Sequence, residues 1–135
     1  MSREIEFRIF TNGKWYYKCL VGNTNDTNDD NWTCPLVWSD EKKEWVHCDN
    51  GVICQYIGLI DRIGTKIYEG DIVKIWGKGF TNKLGCVNAI VVFEEAQFAF
   101  YINERYYKIW KDSCGMYEVL GNVYENPELL GENNE

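Results

Sequence analysis

Apolar and polar residues alternate along much of this chain, which is the pattern of half-buried β-strands. Near the N-terminus, Ile5, Phe7 and Ile9 alternate with charged side chains. Asn12-Gly13 follows them, and this dipeptide best supplies the positive φ angles of a two-residue hairpin turn. A run rich in aromatic and β-branched residues comes next. The pattern therefore predicts an N-terminal β-hairpin.

Similar alternation recurs to the end of the chain. A second hairpin is predicted around residues 39–43, with Pro35 placing its first strand at a sheet edge. Strands over residues 85–93 and 97–102 flank a turn at Glu94-Glu95, and two more strands are predicted at 106–110 and 116–124. Asn126-Pro127 is a helix start of about one turn, with Asn as cap and Pro at the first helical position. The fold class predicted is mainly β, with antiparallel strands forming a small SH3-like or strongly curved barrel, the N-terminal hairpin and a short C-terminal helical turn.

Residues 22–31 contain no apolar side chain and predict an exposed polar loop. Residues 1–130 are predicted to form a single domain, because 135 residues suffice for one core. Residues 131–135 are predicted to be a disordered tail.

Composition narrows the functional classes. The net charge is −7, and from Glu118 onward there are acids but no Lys or Arg. The acidity is thus mainly a C-terminal property, and it argues against tight, non-specific binding of nucleic acid. An apolar run of membrane-spanning length and a signal-peptide pattern are both missing, so we expect a soluble, cytoplasmic protein with reduced cysteines and no membrane partner.

Candidate chemistry is sparse. Cys34, His47, Cys48 and Cys54 lie near one another in sequence, but they lack the C-x₂₋₄-C pairs typical of structural zinc sites. A calcium-loop-like start at Asp26 fails at its sixth and twelfth positions. Neither a phosphate-binding glycine loop nor a nucleophile with a neighbouring base is recognisable. We therefore predict no catalytic residue, metal or cofactor, although an enzyme of unrecognised type is an open alternative.

A basic and aromatic segment near the C-terminal third is the best candidate for binding nucleic acid. Small β-barrels can stack bases on aromatic side chains inside a basic groove. By strand alternation about half of these aromatic side chains face the core, so this interpretation is weaker than packing. The candidate residues are Arg105, Tyr107, Lys108, Trp110 and Lys111.

The stretch from Gln55 to Ile75, QYIGLIDRIGTKIYEGDIVKI, is the most distinctive in the chain. It resembles the signature of the YopX family of bacteriophage and prophage proteins, QY-x-GL-x-D-x-x-G-x-x-IYEGDIV. The opening REIEFR and the closing EVLGNVYENPELL are similar to the family's ends. The residues that carry this resemblance, of structural or unknown role, are Gln55, Tyr56, Gly58, Leu59, Asp61, Gly64, Tyr68, Glu69, Gly70, Asp71, Gly121, Asn122, Tyr124, Glu125, Asn126 and Pro127.

Within the signature, Gly58, Gly64 and Gly70 fall where reversals would need positive φ, and Glu69 and Asp71 could bond the amides of a corner. The resemblance implies a phage- or prophage-encoded accessory protein of uncharacterised function. We predict a non-enzymatic protein-interaction module that binds a host or phage protein or a second copy of itself. The alternative is a weak single-stranded nucleic-acid binder that uses Arg105–Lys111. An acidic mimic of nucleic acid is disfavoured, because a tail does not make a rigid array of charges.

Overall fold

The computed structural model describes residues 4–24, 34–40, 42–47, 51–77 and 85–134. These residues form eleven β-strands and two 3₁₀ helices. The chain divides into two compact units, Met1–Tyr56 and Ile57–Glu135. Within the described residues, no helix is long and apolar enough to cross a membrane.

The first unit is an antiparallel sheet with strand order β4-β3-β2-β1-β5. Its strands are β1 (Phe7–Thr11), β2 (Lys14–Thr24), β3 (Cys34–Ser39), β4 (Glu44–His47) and the start of β5 (Val52–Ile60), which continues into the second unit. Asn12 and Gly13 have φ of 54° and 75° and join β1 to β2. Both predicted hairpins of this unit are therefore confirmed. The prediction that Pro35 places the first strand of the second hairpin at a sheet edge was wrong, because β3 lies between β2 and β4. Within the described residues β4 pairs with β3 only from Leu36 to Ser39, so Pro35 has β2 alone as a neighbour. A small core of Ile9, Tyr16 and Cys19 packs on this sheet.

In the second unit, β6 (Lys66–Tyr68) pairs with β5, and a five-stranded antiparallel sheet has the order β10-β9-β8-β7-β11. Its strands are β7 (Asp71–Trp76), β8 (Cys86–Glu94), β9 (Gln97–Ile102), β10 (Arg105–Lys108) and β11 (Tyr117–Asn122). The 3₁₀ helices are η1 (Lys111–Met116) and η2 (Pro127–Asn134). Two-residue turns with positive φ, at Glu95-Ala96 and Asn103-Glu104, join β8 to β9 and β9 to β10.

Side chains from one face of the five-stranded sheet form the core of this unit. Val73 and Ile75 of β7, Ala89 of β8 and Phe100 of β9 are almost fully buried. Tyr117 packs on the same cluster, and its ring meets that of Phe100 edge-on at 5.0 Å. This core is continuous with the floor of the cavity described below.

The mainly β, antiparallel class is confirmed, but the prediction of a barrel was wrong, because the sheets are not closed. The five-stranded sheet ends at β10 on one side and β11 on the other. Closure would need these two strands to pair. Instead the chain leaves β10 through η1, and β11 adds antiparallel to β7. The 3₁₀ helix η1 lies between β10 and β11 in the chain, where a hairpin would have joined them.

Two predicted segments lie only in part among the described residues. β2 extends to Thr24, so it takes up the first three residues of the polar stretch 22–31; the remainder lies outside the described residues. η2 runs to Asn134, so it is longer than the single turn predicted and includes most of residues 131–135.

Candidate functional site

Asp61, in the middle of the family signature, holds the loop after β5 against β11. Its carboxylate accepts hydrogen bonds from the backbone N–H groups of Ile63 at 3.0 Å, Thr65 at 2.9 Å and Val119 at 2.9 Å. Burial disfavours the charged form, but the bonds from Val119, Thr65 and Ile63 outweigh it and hold the pKa of Asp61 below its ordinary value. Asp61 is thus a structural carboxylate.

Gly70 and Asp71 form the corner that begins β7. The Gly70 N–H donates to the carbonyl of Val91, and the Gly70 carbonyl accepts from the N–H of Val123. Asp71 accepts the N–H of Tyr68 at 2.8 Å, as the sequence suggested for this position. Gly64 and Gly70 have the positive φ expected at reversals, whereas Gly58 has a positive φ within β5 and not at a reversal.

The polar side chains in the C-terminal part of the signature form hydrogen bonds with one another and with the local backbone. Asn122 accepts the N–H groups of Tyr124 and Glu125, and its amide donates to the Glu125 carboxylate at 3.1 Å. Asn126 accepts the N–H of Asn122 at 3.2 Å and leads into Pro127 of η2. These polar groups satisfy one another and the local backbone, so their geometry serves the turn.

The remaining signature residues lie in or beside strands. Gln55 pairs with Phe7 across β1 and β5, and Tyr56 is buried in the first unit. Leu59 packs against the core of the second unit, while Glu69 is half-buried next to Gly70.

An aromatic cavity lies on the core face of the five-stranded sheet beside β10. Its volume is about 240 Å³. Ile75, Phe100 and Tyr117 are buried and form its floor, whereas Trp110 and Met116 are 57% and 42% exposed at its rim. The full lining is Ile75, Trp76, Gly77, Phe100, Tyr107, Lys108, Trp110, Ser113, Met116 and Tyr117.

Cations surround the two tryptophans of the aromatic cavity. The Lys108 ammonium lies 4.3 Å from the ring centre of Trp110. The Arg62 guanidinium lies 5.1 Å from the Trp76 ring, and the Lys74 ammonium 5.8 Å from it. These distances are within the range of cation–π attraction, which fixes positive charge close to the exposed aromatic rim.

Tyr117 of β11 forms hydrogen bonds with the backbone of Trp110 at the rim of the cavity. Its hydroxyl accepts the N–H of Trp110 at 3.2 Å and donates to the Trp110 carbonyl at 3.3 Å. The Ser113 N–H also donates to that carbonyl, at 3.1 Å. The backbone of Trp110 is therefore fixed by a side chain of β11 although the indole itself faces solvent.

We expect Tyr117→Phe to lower the free energy of unfolding by about 1 kcal/mol, because Trp110 loses both bonds to the hydroxyl. Urea unfolding followed by circular dichroism measures this. Tyr101→Phe is the matched control, since the Tyr101 hydroxyl bonds no described residue, and its change should stay within about 0.5 kcal/mol. Equal losses in the two variants would contradict the role given to Tyr117.

The two edges of the five-stranded sheet differ. The outer side of β11 is covered, because Val119 donates to Asp61 and the Arg62 N–H donates to the Tyr117 carbonyl at 2.9 Å. On the outer side of β10, no strand of the described residues pairs. The cavity therefore adjoins the edge that is open within the described chain.

The structure brings three of the five predicted nucleic-acid candidates to the aromatic cavity. Tyr107, Lys108 and Trp110 line it, whereas Arg105 is exposed at the start of β10 and Lys111 is exposed at the start of η1. Among the cavity residues that the candidate list omitted, Trp76 has the largest side chain. The signal that could have indicated Trp76 was a basic residue, Lys74, two positions before an aromatic one in the sequence.

Metal and thiol chemistry can be assessed over the described residues. They contain no cluster of three His, Cys, Asp or Glu side chains able to hold a metal ion. Cys114 of η1 is half-buried, and burial and then the charge of Asp112 raise the pKa of its thiol, which disfavours the reactive thiolate. The side chains of Cys34 and His47, the residue Cys48 and the start of the calcium-like loop lie outside what the structure describes, so the zinc and calcium interpretations stay predictions.

The YopX protein family model matches residues 6–131. The chain belongs to the YopX family. Two solved structures share this fold. Protein EF1440 from Enterococcus faecalis has 20% sequence identity and a TM-score of 0.67, and the match covers 96% of this chain and 99% of that one. Protein yopX from Bacillus subtilis has 20% identity and a TM-score of 0.60, with 93% and 97% covered. No curated protein matches this YopX member.

Proposed function

We propose that this YopX-family protein is a non-enzymatic interaction module that binds another protein by adding a strand to β10. The observation that carries the proposal is the difference between the two edges of the five-stranded sheet. β11 is capped by Asp61 and Arg62, whereas no described strand pairs with β10. Proteins usually cover or charge such edges, because they template pairing with another chain.

The hairpin fixes which backbone groups of β10 face outward. Asn103-Glu104 is a two-residue turn, so Arg105 and Ile102 form a hydrogen-bonded pair. Such pairs alternate with non-bonded ones along an antiparallel ladder, which makes Tyr107 the next bonded residue. The N–H and C=O of Tyr106 and Lys108 therefore point away from β9, where an added strand could bond them.

The phage or prophage origin, the role as an accessory protein and action in the bacterial cytoplasm belong to the same proposal. They rest on the family resemblance. A protein that acts by binding needs no catalytic acid, base or metal centre. The ordered turns of the signature and an aromatic cavity beside an open edge are consistent with that role.

A weak single-stranded nucleic-acid binder is the second candidate function. It is favoured by Lys108 lying over Trp110 at 4.3 Å, because a base could stack on that indole while lysine contacts phosphate. Acidic side chains near Tyr106 of β10 disfavour it. Desolvation and then the nearby Glu94 raise the pKa of Tyr106. A phosphate chain that passed along this strand would meet the Glu94 carboxylate.

Substitution of Tyr106 tests the proposal. Tyr106→Pro removes one outward N–H but leaves the ladder to β9 intact, so the fold should persist and partner binding should be lost. Tyr106→Ala keeps the N–H and removes the ring, and it should retain binding. Full-length variants are compared in nuclease-treated pull-downs from the bacterial host, with mass spectrometry of what each retains. If the proline variant and the parent retained the same host proteins in equal amounts, strand addition at β10 would be refuted.

A further inference from the structure

We infer that the partner strand is acidic and places one large apolar or aromatic side chain in the aromatic cavity beside β10. This inference rests on the proposed strand addition and specifies its ligand. Two features carry it: the size and lining of the cavity, and the charge around its rim.

The aromatic cavity is suited to a single side chain. Pockets for drug-sized ligands usually enclose about 300–1,000 Å³, whereas this one encloses about 240 Å³. Its floor is apolar, with Phe100 and Tyr117 packed edge-on, and Trp110 and Met116 stand exposed at the rim. An aromatic or long aliphatic side chain would cover these surfaces and gain the burial that dominates interface energy.

The rim of the cavity carries an excess of positive charge. Lys108, Arg62 and Lys74 lie over its two tryptophans, Arg105 begins β10 and Lys111 begins η1. The acids of these elements and of the neighbouring strand are Asp71 of β7, whose carboxylate accepts the Tyr68 N–H, Asp112 of η1, and Glu118 of β11, which pairs opposite Lys74. Glu94 and Glu95 lie near Tyr106, whose side chain alternates with that of the cavity residue Tyr107. Asp61 is also close in sequence, but its carboxylate is already bound by three amides.

In a chain of net charge −7, this cationic rim is a local exception. Complementary charge across an interface selects partners and speeds their encounter. Acidic residues next to the anchoring side chain would meet Lys108 and its neighbours, and basic ones would be repelled. The rim therefore favours an acidic strand.

A display selection tests the inference. The full-length protein is presented to a random dodecapeptide library on yeast, with an oligothymidylate titration run in parallel. We expect enriched peptides to contain an aromatic or long apolar residue with Asp or Glu beside it. Trp110→Ala should weaken a selected peptide at least about tenfold, as truncation of an aromatic anchor does. Trp45→Ala is the matched control, because Trp45 is 50% exposed on β4, and it should leave the affinity unchanged.

Lys108→Glu tests the charge at the rim of the aromatic cavity without changing the apolar residues of its floor. It should weaken acidic peptides about fivefold and allow peptides with Lys or Arg beside the anchor to be enriched. Peptides that are lost with Tyr106→Pro but show no acidic preference would overturn this inference and leave strand addition standing. Peptides that bind equally well to Tyr106→Pro would overturn strand addition as well. Tight oligothymidylate binding without any enriched peptide would overturn both in favour of nucleic acid.

Discussion

Asp61→Ala is expected to lower the free energy of unfolding by about 2–4 kcal/mol, because three partly buried N–H groups would lose a charged acceptor. Two of those groups, on Ile63 and Thr65, belong to the turn after β5. The third belongs to Val119 in β11. The substitution would therefore loosen the turn and expose the covered edge of the sheet together.

Two further variants make the test of Asp61 specific. Asp61→Asn keeps the shape and one acceptor oxygen, so its loss should be clearly smaller than that of alanine. Asp112→Ala removes an exposed carboxylate of η1 and should change stability by no more than about 0.5 kcal/mol. Guanidinium unfolding at pH 7 gives all three values. A loss in Asp61→Ala as small as that in Asp112→Ala would refute the role assigned to the buried carboxylate.

The same carboxylate should make stability depend on pH in the acid range. The pKa of Asp61 is lower in the folded protein than its ordinary value of about 3.9. Its contribution is therefore complete above that ordinary value and is lost as the pH falls through the folded pKa. We expect the stability gap between the parent and Asp61→Asn to be constant from pH 7 to about pH 5 and to narrow below about pH 4. A gap that does not change with pH would contradict this.

Local signals explain why so much of the strand pattern could be predicted. The Asn12-Gly13 turn and the Glu94-Glu95 reversal act over a few residues, and the structure places the first turn and the adjoining Glu95-Ala96 turn there. Alternation then sets which side chains of the flanking strands face the core. Neither signal contains information about which distant strands become neighbours.

The sequence was insufficient to predict which strands distant in the chain pair with one another. β11 adds to β7, more than forty residues earlier, and not to β10, from which η1 separates it in the chain. Strand patterns predict that such segments pair but not with which partner, so an open sheet and a closed barrel look alike. The buried carboxylate of Asp61, bonded to Val119, is part of this choice because it occupies the outer edge of β11.

The candidate site was predicted only in part for a related reason. Tyr107, Lys108 and Trp110 were singled out because they are adjacent in sequence, and they do line the aromatic cavity. Trp76 and Met116 reach the same cavity from β7 and η1, which only the tertiary fold brings together. Alternation assigns Trp76 to one face of a strand but does not distinguish a packed core from a cavity wall.

Gly70→Ala is expected to lower the free energy of unfolding by about 2–4 kcal/mol. Gly70 has φ of +84°, and a side chain in this left-handed region costs about 1–2 kcal/mol. A Cβ would also lie 2.8 Å from Cε2 of the Tyr124 ring. The backbone cannot easily move to relieve the contact, because both the N–H and the C=O of Gly70 are bonded, to Val91 and Val123.

Gly64→Ala separates the cost of the positive φ angle from the cost of the contact with Tyr124. Gly64 has a similar φ of +94°, but nothing lies within 4 Å of the Cβ position, so this variant should lose only the backbone contribution of about 1–2 kcal/mol. In a Tyr124→Ala background, the cost of Gly70→Ala should fall to the same level, since the ring that meets the methyl group is gone. Chemical unfolding of the four proteins of this cycle measures the coupling between Gly70 and Tyr124. A zero coupling would mean that the Tyr124 ring moves aside freely, and the signature glycine would then be required for its φ angle alone.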